Sequence, residues 1–250
     1  MSPLLLAEGL ALGAAIGLVL GTVGAGGAIL AAPGLILVLG VPHLAATTSS
    51  LVIVVAAAIA GVAPRLRSGT VNARLGLTFA AIGAGGTVAG SLVAGAIPEP
   101  VTIGLFAALM YSAAWLMWRE RPDDERMARP GRLLVFATAS GVGLLTGLLG
   151  IGGGFLIVPA LVLILGVRPH IAAGTSLVAI AAGGLIALVA RYPTWPEVPW
   201  PIVVVVGIAA ITTALATAPL AQRLPARTLR RLFAGVVVAV ATVLVGSLFG

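Results

Sequence analysis

The sequence predicts an all-α polytopic membrane protein of about ten transmembrane segments, built as two inverted five-segment repeats with short glycine-broken helices near the midplane. Three observations carry this prediction. Of the 250 residues, 60% are hydrophobic and only 8% charged, with a mean hydropathy of +1.20; a soluble domain carries about 25% charged residues. The apolar stretches recur at lengths near the roughly 20 residues that cross a bilayer. The second half of the chain also restates distinctive Gly, Pro, His, Thr and Ser positions of the first.

The same composition excludes several classes. There is no cysteine, so disulfides, thiolate catalysis and cysteine metal sites are ruled out. All 14 basic residues are arginine. The net charge of +7 fits arginine-rich cytoplasmic loops better than a nucleic-acid partner. The N-terminus lacks a basic leader region and carries Glu8, so it reads as the first membrane helix and not as a cleaved signal.

Taken in order, the first apolar segment covers residues 3–21 and ends in the glycine-rich break 21–27. A short apolar run reaches Gly40, and a third segment covers 44–63 before a basic loop with Arg65, Arg67 and Arg74. Segments 75–97 and 101–118 follow, parted by Pro98 and Pro100, which suit a tight turn. Residues 119–132 hold the one long charged run, with Pro122, Pro130 and Gly131. They read as a cytoplasmic linker between a first repeat (1–118) and a second (133–250). The second repeat has segments 133–149, 155–166, 171–190, 200–220 and 229–249. Trp115, Trp118, Trp195 and Trp200 stand at segment ends, as an aromatic belt requires.

The duplication is legible residue by residue. The ten residues from Gly24 to Pro33 match the ten from Gly150 to Pro159, 126 positions later. Leu35, Gly40 and Val41 then match Leu161, Gly166 and Val167. One extra residue near Arg168 moves the offset to 127, after which Pro42-His43 faces Pro169-His170 and Thr48-Ser49 faces Thr175-Ser176. Pro98 and Pro225 continue the register. Such shared polar and special-geometry residues at one spacing mark an internal repeat.

Five crossings per half would make the second half enter from the opposite side. With the N-terminus outside, every arginine except Arg191 falls inside, and Glu99 and Glu197 fall outside. If the short segments were re-entrant instead, the arginines at 223–231 would lie opposite those at 65–74. The inverted arrangement satisfies the positive-inside rule better.

The paired glycine breaks are the strongest candidate for a binding site. Each precedes an apolar run of about 15 residues, roughly 22 Å as helix, short of the roughly 30 Å hydrocarbon core. Short, glycine-interrupted segments at matched places in two halves point to a midplane site. Gly24, Gly26 and Gly27, with Gly150, Gly152, Gly153 and Gly154, would let backbone N–H groups approach an anion at a helix start. Close helix packing is the competing role for these glycines. Thr48, Ser49, Thr175 and Ser176 could donate to an oxyanion; their competing role is helix capping. His43 and His170 are the only histidines, read as loop or capping residues with a possible gating role near neutral pH. Arg168 reads as a cytoplasmic snorkelling residue. With no other charge beside the motifs, the anion is expected to be held mainly by neutral donors, since a full charge at the bilayer centre costs about 2.5–3.5 kcal/mol.

The doubled pattern G-x-G-G-[AG]-x-L-x-x-P, then G-V-x-P-H-x-A-A-x-[TS]-S, resembles the TauE/SafE family over nearly the whole chain. The second copy fits closely, whereas the first departs at Ala25 and Ala28 and has Thr47 where the second has Gly174. The resemblance implies a multi-pass transporter of small sulfur-containing anions (sulfite, thiosulfate or organosulfonates) in the bacterial inner membrane. Alternating access between the repeats is the expected mechanism. A small-carboxylate transporter or an anion channel on the same scaffold is the alternative. The partners implied are a small anionic substrate and the lipid bilayer, with no nucleic acid, cofactor or metal. An enzyme is not expected, given the absence of cysteine, of paired buried carboxylates and of a His/Asp/Glu cluster. The arginine distribution makes a direct prediction: a single cysteine at Glu125→Cys should react with impermeant thiol reagent only from the cytoplasmic side. External labelling there would contradict the orientation.

Overall fold

The computed structural model of the chain describes residues 2–24, 27–94, 97–119, 131–149 and 154–246. Ten α-helices follow one another in these residues: α1 (Pro3–Val23), α2 (Gly27–Leu37), α3 (His43–Arg67), α4 (Ala73–Ala94), α5 (Glu99–Arg119), α6 (Arg132–Leu149), α7 (Gly154–Pro159), α8 (Pro169–Ala190), α9 (Trp200–Arg223) and α10 (Ala226–Gly246). A π turn (Ala160–Ile164) continues α7, and a 3-10 segment (Tyr192–Glu197) joins α8 to α9. There is no strand among the described residues. Five helices, α1, α3, α4, α8 and α9, are long and apolar enough to cross a membrane. The residues 120–130, most of the expected linker, lie outside the described residues.

The helix ends follow local chemistry. Ser2 caps α1 by accepting from the Leu5 N–H at 3.2 Å, with Pro3 next to it; proline in the first turn lacks only an N–H that would have no helical partner. Asn72 does the same for α4, its Oδ1 accepting from Leu75 N at 3.0 Å. The short helices are short for a visible reason. α2 has 11 residues, about 16 Å of rise. Its internal Pro33 is matched by Pro159 in α7. Proline removes one rung of the helix ladder, and after Pro159 the backbone widens into the π turn, with Leu165 N bonding Ala160 O. Both short elements then close identically: Val41 N bonds Leu35 O, and Val167 N bonds Leu161 O. Gly40 and Gly166 take φ of 63° and 64° at these exits, in the left-handed region that glycine enters without steric cost.

The two halves interlock by exchanging helices. α1 packs most extensively on α9, and α6 on α4, while α3 lies against α8 and α5 against α10. The exchanged pairs run parallel. Along α1, a Cβ at Gly13, Gly17 or Gly21 would collide with backbone of Val206, Ala210 or Ala214 respectively. Along α6, a Cβ at Gly143 or Gly147 would collide with the carbonyl of Gly83 or Thr87. Small residues at four-residue spacing allow this close backbone approach. By contrast, α3 and α8 run antiparallel, with Gly61 beside Leu177 and Gly184 beside Val55. Phe106 of α5 meets Phe155 of α7 edge-on at 5.1 Å between centroids, which seats the second short helix. At bundle ends, Arg119 stacks on Trp115 at 4.4 Å and Arg231 on Trp118 at 5.5 Å.

The basic loop expected from Arg65 onward starts later. α3 continues past Pro64 to Arg67, and Arg65 is fully buried. The extra turn is held from outside the helix: Arg65 Nη2 donates to Gly21 O at 2.6 Å and Thr22 O at 3.2 Å. These are last-turn carbonyls of α1 with no helical donor of their own.

Candidate functional site

A cavity of about 420 Å³ opens between α3, α4, α6 and α8. This lies within the range of small-molecule sites, about 300–1,000 Å³. Gly83 and Gly143 bring α4 and α6 together to form one wall, and Val54, Val55, Ile180 and Gly183 form the other. Gly154, the first residue of α7, lies in the lining, and Arg191 stands at the end where α8 stops. The hydroxyls on its wall are committed to their own helices. Thr87 donates to Gly83 O at 3.0 Å, Thr146 to Val142 O at 2.7 Å, and Ser91 to Val88 O at 2.8 Å. Ser50 donates to Thr47 O at 2.8 Å. The cavity therefore presents apolar walls with a single cation among its described lining residues, at the rim. Arg191 Nη1 donates to Thr47 Oγ1 at 2.8 Å, which engages one of the guanidinium nitrogens.

The matched region of the other half is closed. The 126- and 127-residue offsets place Ile16 opposite Val142, Leu20 opposite Thr146, Ala210 opposite Gly83 and Ala214 opposite Thr87. Ile16, Leu20, Ala210 and Ala214 are fully buried, whereas Val142, Thr146, Gly83 and Thr87 are all partly exposed. The arginines near the two helix ends differ likewise, Arg65 buried and Arg191, one position out of register with it, half-exposed. Equivalent sequence thus lines an open cavity on one side and a sealed core on the other.

The residues predicted from sequence are distributed over both ends. Gly24 is buried with φ 89°; a Cβ there would run into the Ala173 carbonyl, and at Gly27 into Leu20. Both glycines thus serve close packing in this structure. Gly154 lines the cavity. Gly26, Gly150, Gly152 and Gly153 lie outside the described residues. The hydroxyl pairs are not brought together, because α3 and α8 are antiparallel and each pair sits near its helix start. Thr48 Oγ1 meets Thr194 Oγ1 at 2.9 Å, and Ser49 donates to Ala45 O at 2.6 Å. Thr175 Oγ1 accepts from Asn72 N at 3.0 Å; Ser176 donates to Ala173 O at 2.9 Å and Gly24 O at 3.1 Å. Each thus ties its helix to a loop or helix end, or back onto itself. His43 is exposed and His170 half-buried, again at opposite ends. Arg168, expected as a snorkelling residue, is exposed at the start of α8.

The expectation that no charge besides Arg168 stands beside the glycine motifs is corrected by Arg65, which bonds to the residues just before Gly24. The loop-like composition of that stretch hides it. A usable signal is present: Arg65 and Arg191 stand one position apart in the 127-residue register of this stretch, which pairs Arg65 with Tyr192 and Pro64 with Arg191, and each stands at the end of the third helix of its half. Ser50 and the cavity glycines Gly83, Gly143 and Gly183 give no comparable signal, since glycine is frequent throughout the chain.

The family model for the sulfite exporter TauE/SafE matches residues 9–244. Two proteins of Xylella fastidiosa, from strains Temecula1 and 9a5c, each bear the name "Probable membrane transporter protein". Each is 36% identical over 238 residues, covering 92% of this chain and 90% of the relative. No solved structure matches significantly.

Neighbouring glycines of α8 separate cavity from packing. A Cβ at Gly183 meets nothing within 4 Å, whereas one at Gly184 collides with Val55. Gly183→Leu should leave the unfolding temperature within a degree or so, because it fills open space, yet abolish the binding of any small anion that occupies the cavity, read by titration calorimetry with a panel of sulfonates and carboxylates. Gly184→Leu should cost about 1–3 kcal/mol through overpacking, seen as a lower melting temperature.

Proposed function

The chain belongs to the TauE/SafE sulfite exporter family, and from that premise we propose that it carries small sulfur-containing anions across the bacterial inner membrane by alternating access. Family and relatives make it a multi-pass membrane transporter; the substrate class and the cycle are our reading. The observation that carries the cycle is the unequal state of equivalent sequence, open around Thr87 and Thr146 and sealed around Ala214 and Leu20. In an inverted repeat, exchanging the conformations of the two halves turns an opening on one face into an opening on the other. Three features support the inversion: the antiparallel α3 and α8, the parallel exchanged pairs, and the arginine distribution. With the N-terminus outside, the open cavity is the outward vestibule and the Arg65 end faces the cytoplasm.

The cavity favours one member of the substrate class. Its walls are apolar, its hydroxyls donate inward to helix carbonyls, and Arg191 supplies the charge at the rim. A small inorganic oxyanion is on the order of two water volumes of about 30 Å³ each and stays strongly hydrated. An organosulfonate places its head at Arg191 and its carbon tail against Val54, Val142 and Ile180. Burial of each methylene contributes about 0.8 kcal/mol, so affinity should rise about three- to fourfold per added carbon until the cavity is filled.

Proteoliposomes test both parts. Counterflow of radiolabelled ethanesulfonate against internal unlabelled ethanesulfonate should accumulate label transiently, with weaker competition from sulfite and thiosulfate than from propanesulfonate. Passive equilibration without overshoot would make the protein an anion channel. Stronger competition by sulfite would reverse the assigned preference.

A further inference from the structure

We propose that Arg65 and Arg191, at the ends of the third helices of the two halves, are anion-receiving guanidiniums, one at each end of the transport path. In this conformation Arg65 is held out of use by the carbonyls of Gly21 and Thr22. The inference rests on the transporter reading and names the residues that hold charge at its two faces.

Arg65 is the most unusual side chain among the described residues. It is fully buried, and no carboxylate pairs with it among those residues. Nη2 bonds to Gly21 O and Thr22 O, while Nε and Nη1 have no hydrogen-bond partner among the described residues. Burying a charge without a counter-charge is strongly unfavourable, and buried polar groups left unpaired are rare enough to require an explanation. Capping explains one nitrogen. The carbonyl end of α1 carries only a partial negative charge of about half a unit, and a neutral donor such as Asn or Gln would cap it without the desolvation cost. A guanidinium offers more: Nε and Nη1 have donors to spare, and when Nη2 leaves the carbonyls it completes with either one a planar fork that matches an oxyanion.

The partner in the other half shows the second setting of the same device. Arg191 stands at the end of α8, one position short of the counterpart of Arg65, half-exposed at the cavity rim, and is latched by a side-chain bond to Thr47. Position 47 corresponds to Gly174, which has no hydroxyl to offer Arg65; Arg65 is instead latched by main-chain carbonyls on α1. Parting α1 and α9 from α3 and α8 opens the sealed side and breaks those bonds, leaving the Arg65 fork facing water. Closing α4 and α6 onto α3 and α8 withdraws Arg191 in turn. Each face then offers one cation to an arriving anion only while that face is open.

The cysteine-free chain allows a test that does not depend on transport. Thr47→Cys lies beside Arg191 and Thr22→Cys beside Arg65. Each is reacted in liposomes, from one side at a time, with the anionic sulfonatoethyl or the cationic trimethylammonioethyl methanethiosulfonate. Thr47→Cys should react from the vestibule face only and Thr22→Cys from the opposite face only. At each, the anionic reagent should be favoured roughly tenfold by one lightly screened charge at close range. The preference should disappear in Thr47→Cys/Arg191→Gln and in Thr22→Cys/Arg65→Gln. A second measurement keeps Arg65 intact, in case its removal prevents folding: ethanesulfonate added at the Arg65 face should slow labelling of Thr22→Cys more than chloride at equal ionic strength. Three results would overturn the proposal and leave Arg65 as a cap: no reaction of the Thr22→Cys variant from either face, an anion preference unchanged by Arg65→Gln, or equal protection by chloride. Failure of the counterflow assay alone would instead remove the transporter reading while leaving this asymmetry measurable.

Discussion

Glycine packed on a backbone carbonyl is the contact on which the bundle depends. Gly13, Gly17 and Gly21 bind α1 to α9 in this way, and Gly143 and Gly147 bind α6 to α4. In a bilayer, apolar side chains gain little by leaving lipid for one another, so close van der Waals approach is what joins helices. Because these seams join the first helix of each half to the fourth of the other, neither half can close around its own core. The result is two tight pairs flanking the antiparallel α3 and α8. The seams within the pairs admit no side chain at the contact points, so the movement of the proposed cycle falls where the pairs face α3 and α8. The cavity lies along one of those faces, and the sealed core along the other.

That division sets where the charge sits. Arg65 and Arg191 stand at the ends of α3 and α8, one position out of register with each other, so both stand at the boundary between the central pair and a tight pair. One is covered by the end of α1; the other stands at the rim of an apolar chamber. The hydroxyls selected by sequence do a different job. Thr48 and Thr175 brace the starts of α3 and α8 against the connections that follow α8 and α3 respectively, Thr194 in one case and Asn72 in the other. The threonines are equivalent in the two halves but their partners are not, a hydroxyl in one case and a backbone N–H in the other.

Much of this architecture is legible in the sequence. Composition alone requires an all-helical multi-pass chain, and the matched Gly40/Gly166 and Pro33/Pro159 pairs mark the two short elements. The exchange of α1 and α6 between halves is not legible, because helices apolar on every side carry no periodic signal of which face meets which partner. Arg65 escapes detection for a related reason. An arginine after a proline at the end of an apolar run has the composition of a loop, and only the carbonyls of Gly21 and Thr22, 44 and 43 residues away, turn it inward. Matching motifs suggest that the hydroxyl pairs share a midplane site; antiparallel α3 and α8 send them to opposite ends instead.

The central claim is that opening on one side and sealing on the other are reciprocal. Val88 and Ile186 line the cavity from facing helices, and Leu215 and Ile59 are their sequence counterparts on the sealed side. Spin labels at each pair, read by double electron–electron resonance in lipid nanodiscs with and without ethanesulfonate, report both openings. The account predicts that the 88–186 distance shortens in the same fraction of molecules in which the 215–59 distance lengthens. Distances that stay fixed, or that lengthen together, would contradict it.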